Sequence, residues 1–299
     1  MVSGSPTVSV VIRALNEARH LPRLLHGLAH QSYGPLEVVL VDSGSTDATV
    51  EIAREWGAKV VHIAPEDFSF GRSLNIGCAA ASGDLLLLAS AHVYPQSVDW
   101  VARLVEPFTS DDELAISYGG QDGDHTSNFG ERRLLRSWFP EQSNLDQQDP
   151  FCNNANCMVR SDLWADRPYD ESLPGLEDIA WASRVTEEGF RIAYVGDARV
   201  VHLHSERMRS IVNRYRREAV AFREIFGHGE LDAFTATRWF AGNLSIDLRE
   251  ASQEHRPVRS SVESVKFRAG QYLGAVQGHR SGPREIGAVV TRMFRSTNP

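Results

Sequence analysis

Leu85-Leu86-Leu87-Leu88-Ala89-Ser90-Ala91-His92-Val93-Tyr94-Pro95 is the stretch on which the reading of this chain turns. Four consecutive leucines, too few for a helix of their own and bounded by Ser82-Gly83-Asp84 and Pro95, predict a strand buried on both faces at the centre of a sheet. The chain turns polar within two residues of that strand's end. In an open α/β sheet ligands bind in the crevice beyond the carboxyl ends of the strands, so Ser90, Ala91 and His92 stand where chemistry is expected. Position alone reads equally well as an ordinary strand-end histidine with a satisfied ring, because a place in a fold does not assign a function.

Towards the N-terminus the pattern alternates regularly. Val8 to Ile12 is a β-branched run that opens into Arg13-Ala14-Leu15-Asn16-Glu17, which predicts a first buried strand with a polar loop at its end. Leu21, Leu24, Leu25 and Leu28 recur at helical spacing behind Pro22, and Ser32-Tyr33-Gly34-Pro35 ends that helix. A second strand, Glu37 to Val41, delivers Asp42-Ser43-Gly44-Ser45-Thr46-Asp47. In isolation that hexapeptide is turn and cap chemistry ahead of a helix from Ala48 to Trp56. Lys59 to Ile63 predicts a third strand, and Phe68-Ser69-Phe70-Gly71-Arg72 precedes a helix from Ser73 to Ala81. Strands and helices joined by short connections imply parallel βαβ units with right-handed crossovers, a nucleotide-binding half in the general sense. A dinucleotide site of the usual kind is excluded, since no Gly-x-Gly-x-x-Gly follows the first strand; Gly-x-x-x-x-Gly-Lys is absent as well.

Beyond Pro95 the pattern changes. A helix around Val98 to Glu106 and a strand from Ile116 to Gly120 precede a polar stretch, Gln121 to Pro150, whose length marks it as functional or mobile. Phe151 to Val159 predicts a strand that carries three asparagines, a cost for a buried segment unless their amides meet partners or a ligand. Leu173-Pro174-Gly175-Leu176-Glu177-Asp178 ends a loop and begins a helix, Ile179 to Glu188, and dipole reasons alone favour carboxylates in its first turn. Short strands are expected at Arg191 to Val195 and Ala198 to Val201. The second delivers His202-Leu203-His204, whose imidazoles share a face if the strand continues. From Glu206 the chain reads as helical to about Phe226, then as less ordered, then as an amphipathic stretch from Val262 to Val276 suited to packing or oligomerisation.

Composition is that of a globular protein: 299 residues, 42% hydrophobic and 23% charged, enough for one large α/β domain or two smaller ones. No run approaches a membrane span, and no basic segment with an apolar core opens the chain, so the expectation is a cytoplasmic protein. Cys78, Cys152 and Cys157 lack paired spacing and read as buried free thiols. The net charge of -8 is uneven: 15 Lys+Arg face 29 Asp+Glu up to His204, and 16 face 10 afterwards. A basic tail suits an anionic partner, a peripheral membrane contact or the acidic body of a neighbouring subunit in a homo-oligomer. Nucleic acid is disfavoured, because aromatic and basic residues do not interleave as in a binding module.

Taken together, the clusters at Ala14 to Glu17, Asp42 to Ser45, Ser90 to His92, and Glu177-Asp178 with His202 resemble the family 2 glycosyltransferases of the GT-A fold. The resemblance spans roughly Thr7 to Ser205. Val-Ser-Val-Val-Ile-Arg-Ala-Leu-Asn-Glu looks like the family's opening strand, and Val-Val-Leu-Val-Asp-Ser-Gly-Ser-Thr-Asp like its nucleotide-binding second strand. Phe70-Gly71-Arg72-Ser73-Leu74-Asn75-Ile76-Gly77, Glu177-Asp178-Ile179-Ala180-Trp181 and Ala198-Arg199-Val200-Val201-His202-Leu203-His204 are closest to its rhamnosyltransferase-like members.

The resemblance implies an α/β GT-A fold over residues 1–204, a mixed, mostly parallel Rossmann-like sheet flanked by helices, with a helical C-terminal extension over 205–299 for acceptor binding or oligomerisation. It implies an inverting hexosyltransferase that moves a sugar from a nucleoside-diphosphate donor to an acceptor hydroxyl in glycan biosynthesis. Asp178 is then the general base and Glu177 its support. Ala14, Asn16, Glu17, Asp42, Ser43, Arg72, Ser90, Ala91, His92 and Asn156 are the donor-binding set, with Asp42 and the loop at Ala14 to Glu17 on the base and ribose. His202 matches a histidine that ligates the divalent metal in some members, and His204 is a second candidate.

Two departures stand out. Asp42-Ser43 replaces the usual Asp-Asp, a change also seen among rhamnosyltransferase-like relatives. The Asp-x-Asp expected after the leucine strand reads Ser90-Ala91-His92, which removes the oxygen ligands that Mg²⁺ prefers. Three readings stay open: His92 and His202 hold a softer ion such as Mn²⁺ or Zn²⁺; the site works without metal, using His92 with Arg72 or Arg207; or turnover is lost and the chain is a nucleotide-sugar-binding scaffold. A nucleotidyltransferase ranks last, since Arg13 and Arg19 flank the first loop without a glycine-rich phosphate loop. Acceptor choice is expected in Gln121 to Pro150 and the tail.

Overall fold

The computed structural model describes residues 5–204, 207–227 and 233–280. Their elements in chain order are β1 (Val8–Ala14), α1 (Leu21–Ala29), β2 (Leu36–Asp42), α2 (Thr49–Trp56), β3 (Lys59–His62), α3 (Phe70–Ala80), β4 (Leu85–Ser90), β5 (Val93–Pro95), α4 (Trp100–Val105), β6 (Leu114–Asp122), α5 (Phe129–Trp138), β7 (Asn144–Gln147), β8 (Asn156–Arg160), α6 (Ser161–Asp166), α7 (Glu177–Glu187), β9 (Arg191–His202), α8 (Met208–Phe226), α9 (Ala233–Ala251) and α10 (Pro257–Arg280). The described residues group into two compact units, the first within 5–122, 139–172 and 177–202, the second within 123–138, 173–176 and 203–280. Helix α5 associates with the C-terminal helices α9 and α10.

The first unit is built on one nine-stranded sheet in the order β3-β2-β1-β4-β8-β6-β9-β5, with β7 on β9. As the leucine run predicts, β4 is central, and Leu85 to Leu88 are all buried. It pairs in parallel with β1 and antiparallel with β8. The βαβ alternation gives parallel pairing of β1 with β2 and β4, and of β2 with β3. Beyond β4 the sheet is mixed, with β6 and β9 parallel and the β8, β5 and β7 pairings antiparallel. Helix α1 buries Leu21, Leu24, Leu25 and Leu28 against one face of the sheet, in a core shared with Trp100 and Leu104 of α4. Helix α3 covers β1 and β2, and Gly77 makes that approach possible, because a Cβ there would meet Val11 Cγ1 at 2.4 Å.

Several local expectations are corrected. Ala198 to Val201 is not a separate strand but the end of a continuous twelve-residue β9. Phe151 to Asn153 is loop, and pairing begins at Asn156. The polar stretch from 121 to 150 contains α5 and β7, and the region read as less ordered contains the nineteen-residue α9. The three cysteines are free and buried, as expected.

The reason α5 and α9 escape a hydrophobic-period reading lies in the second unit itself. Its interior is partly ionic: Asp247 of α9 and Arg268 of α10 are almost wholly enclosed, with Arg268 Nε 2.8 Å from Asp247 Oδ2 and Arg133 of α5 on the other carboxylate oxygen. Glu131 of α5 is likewise buried and meets Arg214 of α8 at 2.9 Å and His204 at 2.8 Å. Charges at core positions interrupt the apolar stripe by which an amphipathic helix is recognised. Helix α10 lies close on α8 at Gly274 and Gly278, where a Cβ would come within 2.3 Å of the Val212 and Arg216 carbonyl oxygens. Among the described residues no helix is long and apolar enough to cross a membrane.

Candidate active site

The ends of β1, β2 and β4 lie side by side. Ala14 is opposite Asp42, and Arg13 is opposite Ser90, in the parallel register. Asp42 turns inward at 3% exposure: it accepts from the backbone N–H groups of Gly44 (3.2 Å) and Ser45 (3.1 Å) and pairs with His62 Nδ1 at 3.2 Å. Its carboxylate builds the turn, at whose bend Gly44 adopts φ +94°. Ser43 is buried and donates its N–H to the Ala14 carbonyl. Asn16, in the left-handed region at φ 57°, ties the two loops together. Its N–H donates to Ser45 Oγ (2.9 Å) and its Oδ1 accepts from Thr46 N–H (2.8 Å).

Past β4, Ala91 is buried and His92 sits between two carriers of fixed hydrogen bonds. Its Nδ1 is 2.8 Å from Glu17 Oε1, and its ring stacks on His202 with centroids 5.1 Å apart and planes at 21°. The pairing of Val93 with His202 in the β5–β9 ribbon brings the rings together. A chain of bonds fixes the His202 tautomer. Ala155 N–H donates to Asn153 Oδ1, so Gln121 Nε2 must donate to that same oxygen, leaving Gln121 Oε1 to accept from His202 Nδ1 at 2.7 Å. Glu17, a pure acceptor when ionised, fixes His92 in the same way. Both neutral rings then carry the proton on Nδ1 and a lone pair on Nε2. A ligating histidine has this arrangement, with its other nitrogen held by a carboxylate or amide oxygen. The ligand nitrogens of His92 and His202 lie within 4.8 Å of each other, so the donor set fits a divalent transition ion. His204 is past the end of β9 and bonds Glu131 within the second unit.

Glu177 and Asp178 open α7, as predicted from the sequence. Arg13 Nη1 reaches Glu177 Oε1 at 3.1 Å and the Phe70 carbonyl at 3.3 Å, which ties the start of α7 to the end of β1. Asp178 Oδ1 accepts from Ile179 N–H (2.9 Å) and Oδ2 from Asn154 N–H (3.2 Å). Burial and the adjoining Glu177 carboxylate push Asp178 up to about 7, against the opposing pull of these two N–H groups and of Arg13. A carboxyl with that affinity exchanges a proton at neutral pH. Asn153 bonds Gln121 in the His202 chain and Asn154 N–H bonds Asp178, so two consecutive residues of one loop hold both groups of bonds.

Not every expected residue joins these bonds. Asn156, wholly buried, accepts from Trp100 Nε1 (2.8 Å) and donates to the carbonyls of Gly120 (3.0 Å) and Ala198 (2.9 Å). Its amide is spent inside the sheet and leaves a donor sugar nothing to bind. Asn156→Ala is accordingly expected to lower stability by about 2 to 3 kcal/mol through three orphaned groups. Urea titration should show a lower midpoint at unchanged slope, with kcat/KM of the folded protein preserved. Arg72 is exposed on the first turn of α3, where its N–H caps onto Ser69 Oγ. Arg207 is the exposed N-cap residue of α8 in the second unit. The sequence reading missed Gln121, Tyr94 and His20. Their signals are weak, because each acts by bonding a histidine or its neighbour: His20 Nδ1 meets the Tyr94 hydroxyl, and its ring centroid lies 6.4 Å from that of His92. Burial, foremost, lowers the proton affinity of His20.

Residues 9–166, more than half of the chain, match the model of the family described as Glycosyl transferase family 2. The chain is 27% identical over 222 residues to glycosyltransferase AglE of Haloferax volcanii, covering 69% of each protein. It is 25% identical over 202 residues to O-antigen chain rhamnosyltransferase WbaN of Salmonella anatum, covering 64% of each. In structure it resembles a mannosyltransferase of Pyrobaculum calidifontis in complex with GDP-Man and Mn²⁺, with a TM-score of 0.64, 16% identity, and coverage of 92% of this chain and 88% of the other. A second likeness is to glucosyl-3-phosphoglycerate synthase of Mycobacterium tuberculosis in complex with Mn²⁺, UDP and its product, with a TM-score of 0.55, 20% identity and coverage of 76% and 82%. These neighbours establish the GT-A fold.

Proposed function

From the premise that the chain belongs to glycosyltransferase family 2, we propose that it is an inverting transferase working from a nucleoside-diphosphate sugar, with Asp178 as general base. One observation carries the reading. A carboxyl poised near neutrality accepts from Asn154 N–H, next in the chain to the Asn153 that bonds Gln121, and Gln121 and Glu17 hold Nδ1 of the stacked His202 and His92.

The Asp178 carboxylate takes the proton of an acceptor hydroxyl as that oxygen bonds the anomeric carbon and the bond to the diphosphate breaks. A single displacement inverts the anomeric configuration. Glu177 pairs with Arg13 and fixes the turn from which Asp178 projects. Asn16, Ser45 and Thr46 present the loop edges to the nucleoside, and Asp42 serves it by shaping that turn. His92 and His202 would hold a divalent ion, held in orientation by Glu17 and Gln121. Bound there, such an ion offsets the charge that develops on the leaving diphosphate. Imidazole donors favour Mn²⁺, Co²⁺ or Zn²⁺ over Mg²⁺.

The test is a thermal-shift matrix of UDP, GDP and dTDP against Mn²⁺, Mg²⁺ and no metal, followed by release of nucleoside diphosphate from the matching sugar donors. A ligand of the native state at a hundred times its dissociation constant adds about 2.7 kcal/mol of apparent stability. The expected outcome is one nucleotide that stabilises with Mn²⁺ and a donor sugar that turns over. Binding of a nucleotide with no turnover of any donor, with or without acceptor glycans, would establish the scaffold reading instead.

A further inference from the structure

The three asparagines of Asn153-Asn154-Ala155-Asn156 divide cleanly by what their amides do. Asn153 Oδ1 accepts from Ala155 N–H and Gln121 Nε2, each at 3.0 Å. Asn156 is saturated inside the sheet. Asn154, only 5% exposed, is different: neither Oδ1 nor Nδ2 meets a hydrogen-bond partner. Among the described residues it is the one side chain with two buried polar atoms in that state. Burying a carboxamide without partners is unfavourable, and native proteins keep such groups rarely. Its backbone is at the same time committed, since Asn154 N–H donates to Asp178 Oδ2 at 3.2 Å. The carboxamide is therefore rooted one hydrogen bond from the candidate base, and rotation about its two torsions breaks no bond.

Resting on the reading of Asp178 as the base, the geometry points to Asn154 as a binding residue for a pair of neighbouring carbohydrate hydroxyls at the reacting centre. A carboxamide offers one acceptor and one donor side by side, and a vicinal diol offers the complement, one O–H to give and one oxygen to receive. A carbohydrate meets Asp178 from two sides, as the acceptor whose hydroxyl loses its proton and as the transferred sugar whose anomeric carbon is attacked. The chemistry is common to both, and the kinetics separate them.

Asn154→Leu replaces the carboxamide by an apolar group of similar size, and Asn154→Gln keeps the amide. With an idle amide removed from the interior, the Leu variant without ligand is expected to melt about 3 °C higher than the parent protein. With the donor that the parent consumes, its kcat/KM is expected to fall about 50-fold, because a site built to hydrogen-bond a hydroxyl is left without its group. Asn154→Gln should recover part of that loss. If the hydroxyls belong to the acceptor, acceptor KM rises and hydrolysis of the donor by water is unchanged; if they belong to the transferred sugar, donor KM rises and hydrolysis falls in parallel. A Leu variant that melts at or below the parent, or whose kinetic constants stay within twofold of it, overturns the inference. If the parent consumes no donor, it is the transferase reading that fails, and the melting temperature still decides whether the amide of Asn154 is held by the protein.

Discussion

Asp178→Asn is expected to reduce kcat by about three orders of magnitude while the protein stays folded, the loss typical of removing a positioned general base. Asparagine keeps the size of the side chain, and its one oxygen can accept from Ile179 N–H or from Asn154 N–H, which bond different oxygens of the carboxylate; the loss is expected in kcat rather than in substrate KM. The wild-type rate should rise with pH through a midpoint near 7 as Asp178 ionises, and the residual rate of the Asn variant should lack that limb. Arg13 pulls the Asp178 affinity down, so Arg13→Gln should move the midpoint upward. A variant at 178 with wild-type turnover would assign the proton to another group.

The same carboxyl makes a linked prediction about stability. Its folded value of about 7 exceeds the ordinary 3.8, so between those values the native state holds more protons than the unfolded chain, and stability falls as pH rises across that window. A fully enclosed group would contribute about 4 kcal/mol over a shift of this size. Asp178 keeps a solvent-facing edge, which reduces the expected cost to about 2 kcal/mol. Asp178→Asn should therefore be more stable than the parent at pH 8 and lose that advantage by pH 4, as read from denaturant midpoints at each pH.

The contrast between what could and could not be read from the sequence follows from how each feature is encoded. β1, β2 and β4 announce themselves because continuous β-branched or leucine runs have few other solutions, and their polar ends locate the crevice. Asp178 and His202 come from spacing shared with a family. What escaped is relational. The stacking of His92 on His202 depends on β5 folding back along β9, a pairing between residues more than a hundred positions apart. The sequence flags all three asparagines as needing partners or a ligand and singles out only Asn156 for the donor, since three asparagines in four positions look alike until the sheet consumes one of them. Helices α5 and α9 were hidden for a different reason, because Glu131 and Asp247 occupy positions where a periodic reading expects leucine.

Alanine at His202 is expected to lower kcat about 100-fold in Mn²⁺ and to remove the response to added metal, because a nitrogen donor is lost together with the buried Gln121 bond that oriented it. His92→Asp tests the chemistry more sharply. A carboxylate at this position restores the hard oxygen donor of the Asp-x-Asp pattern, and it should shift the preference from Mn²⁺ towards Mg²⁺. The neighbouring Glu17 complicates the swap: its Oε1, 2.8 Å from His92 Nδ1, would face a like charge, and one of the two carboxyls would hold a proton. Glu17→Gln supplies an N–H in place of that repulsion, so the double variant should show the larger rise in the ratio of Mg²⁺-supported to Mn²⁺-supported kcat/KM. If the parent is indifferent to chelators and both histidine variants turn over normally, the diphosphate charge is met by cationic side chains instead. The stacked imidazoles then serve only to join β5 to β9, and their Nε2 lone pairs have no part in transfer.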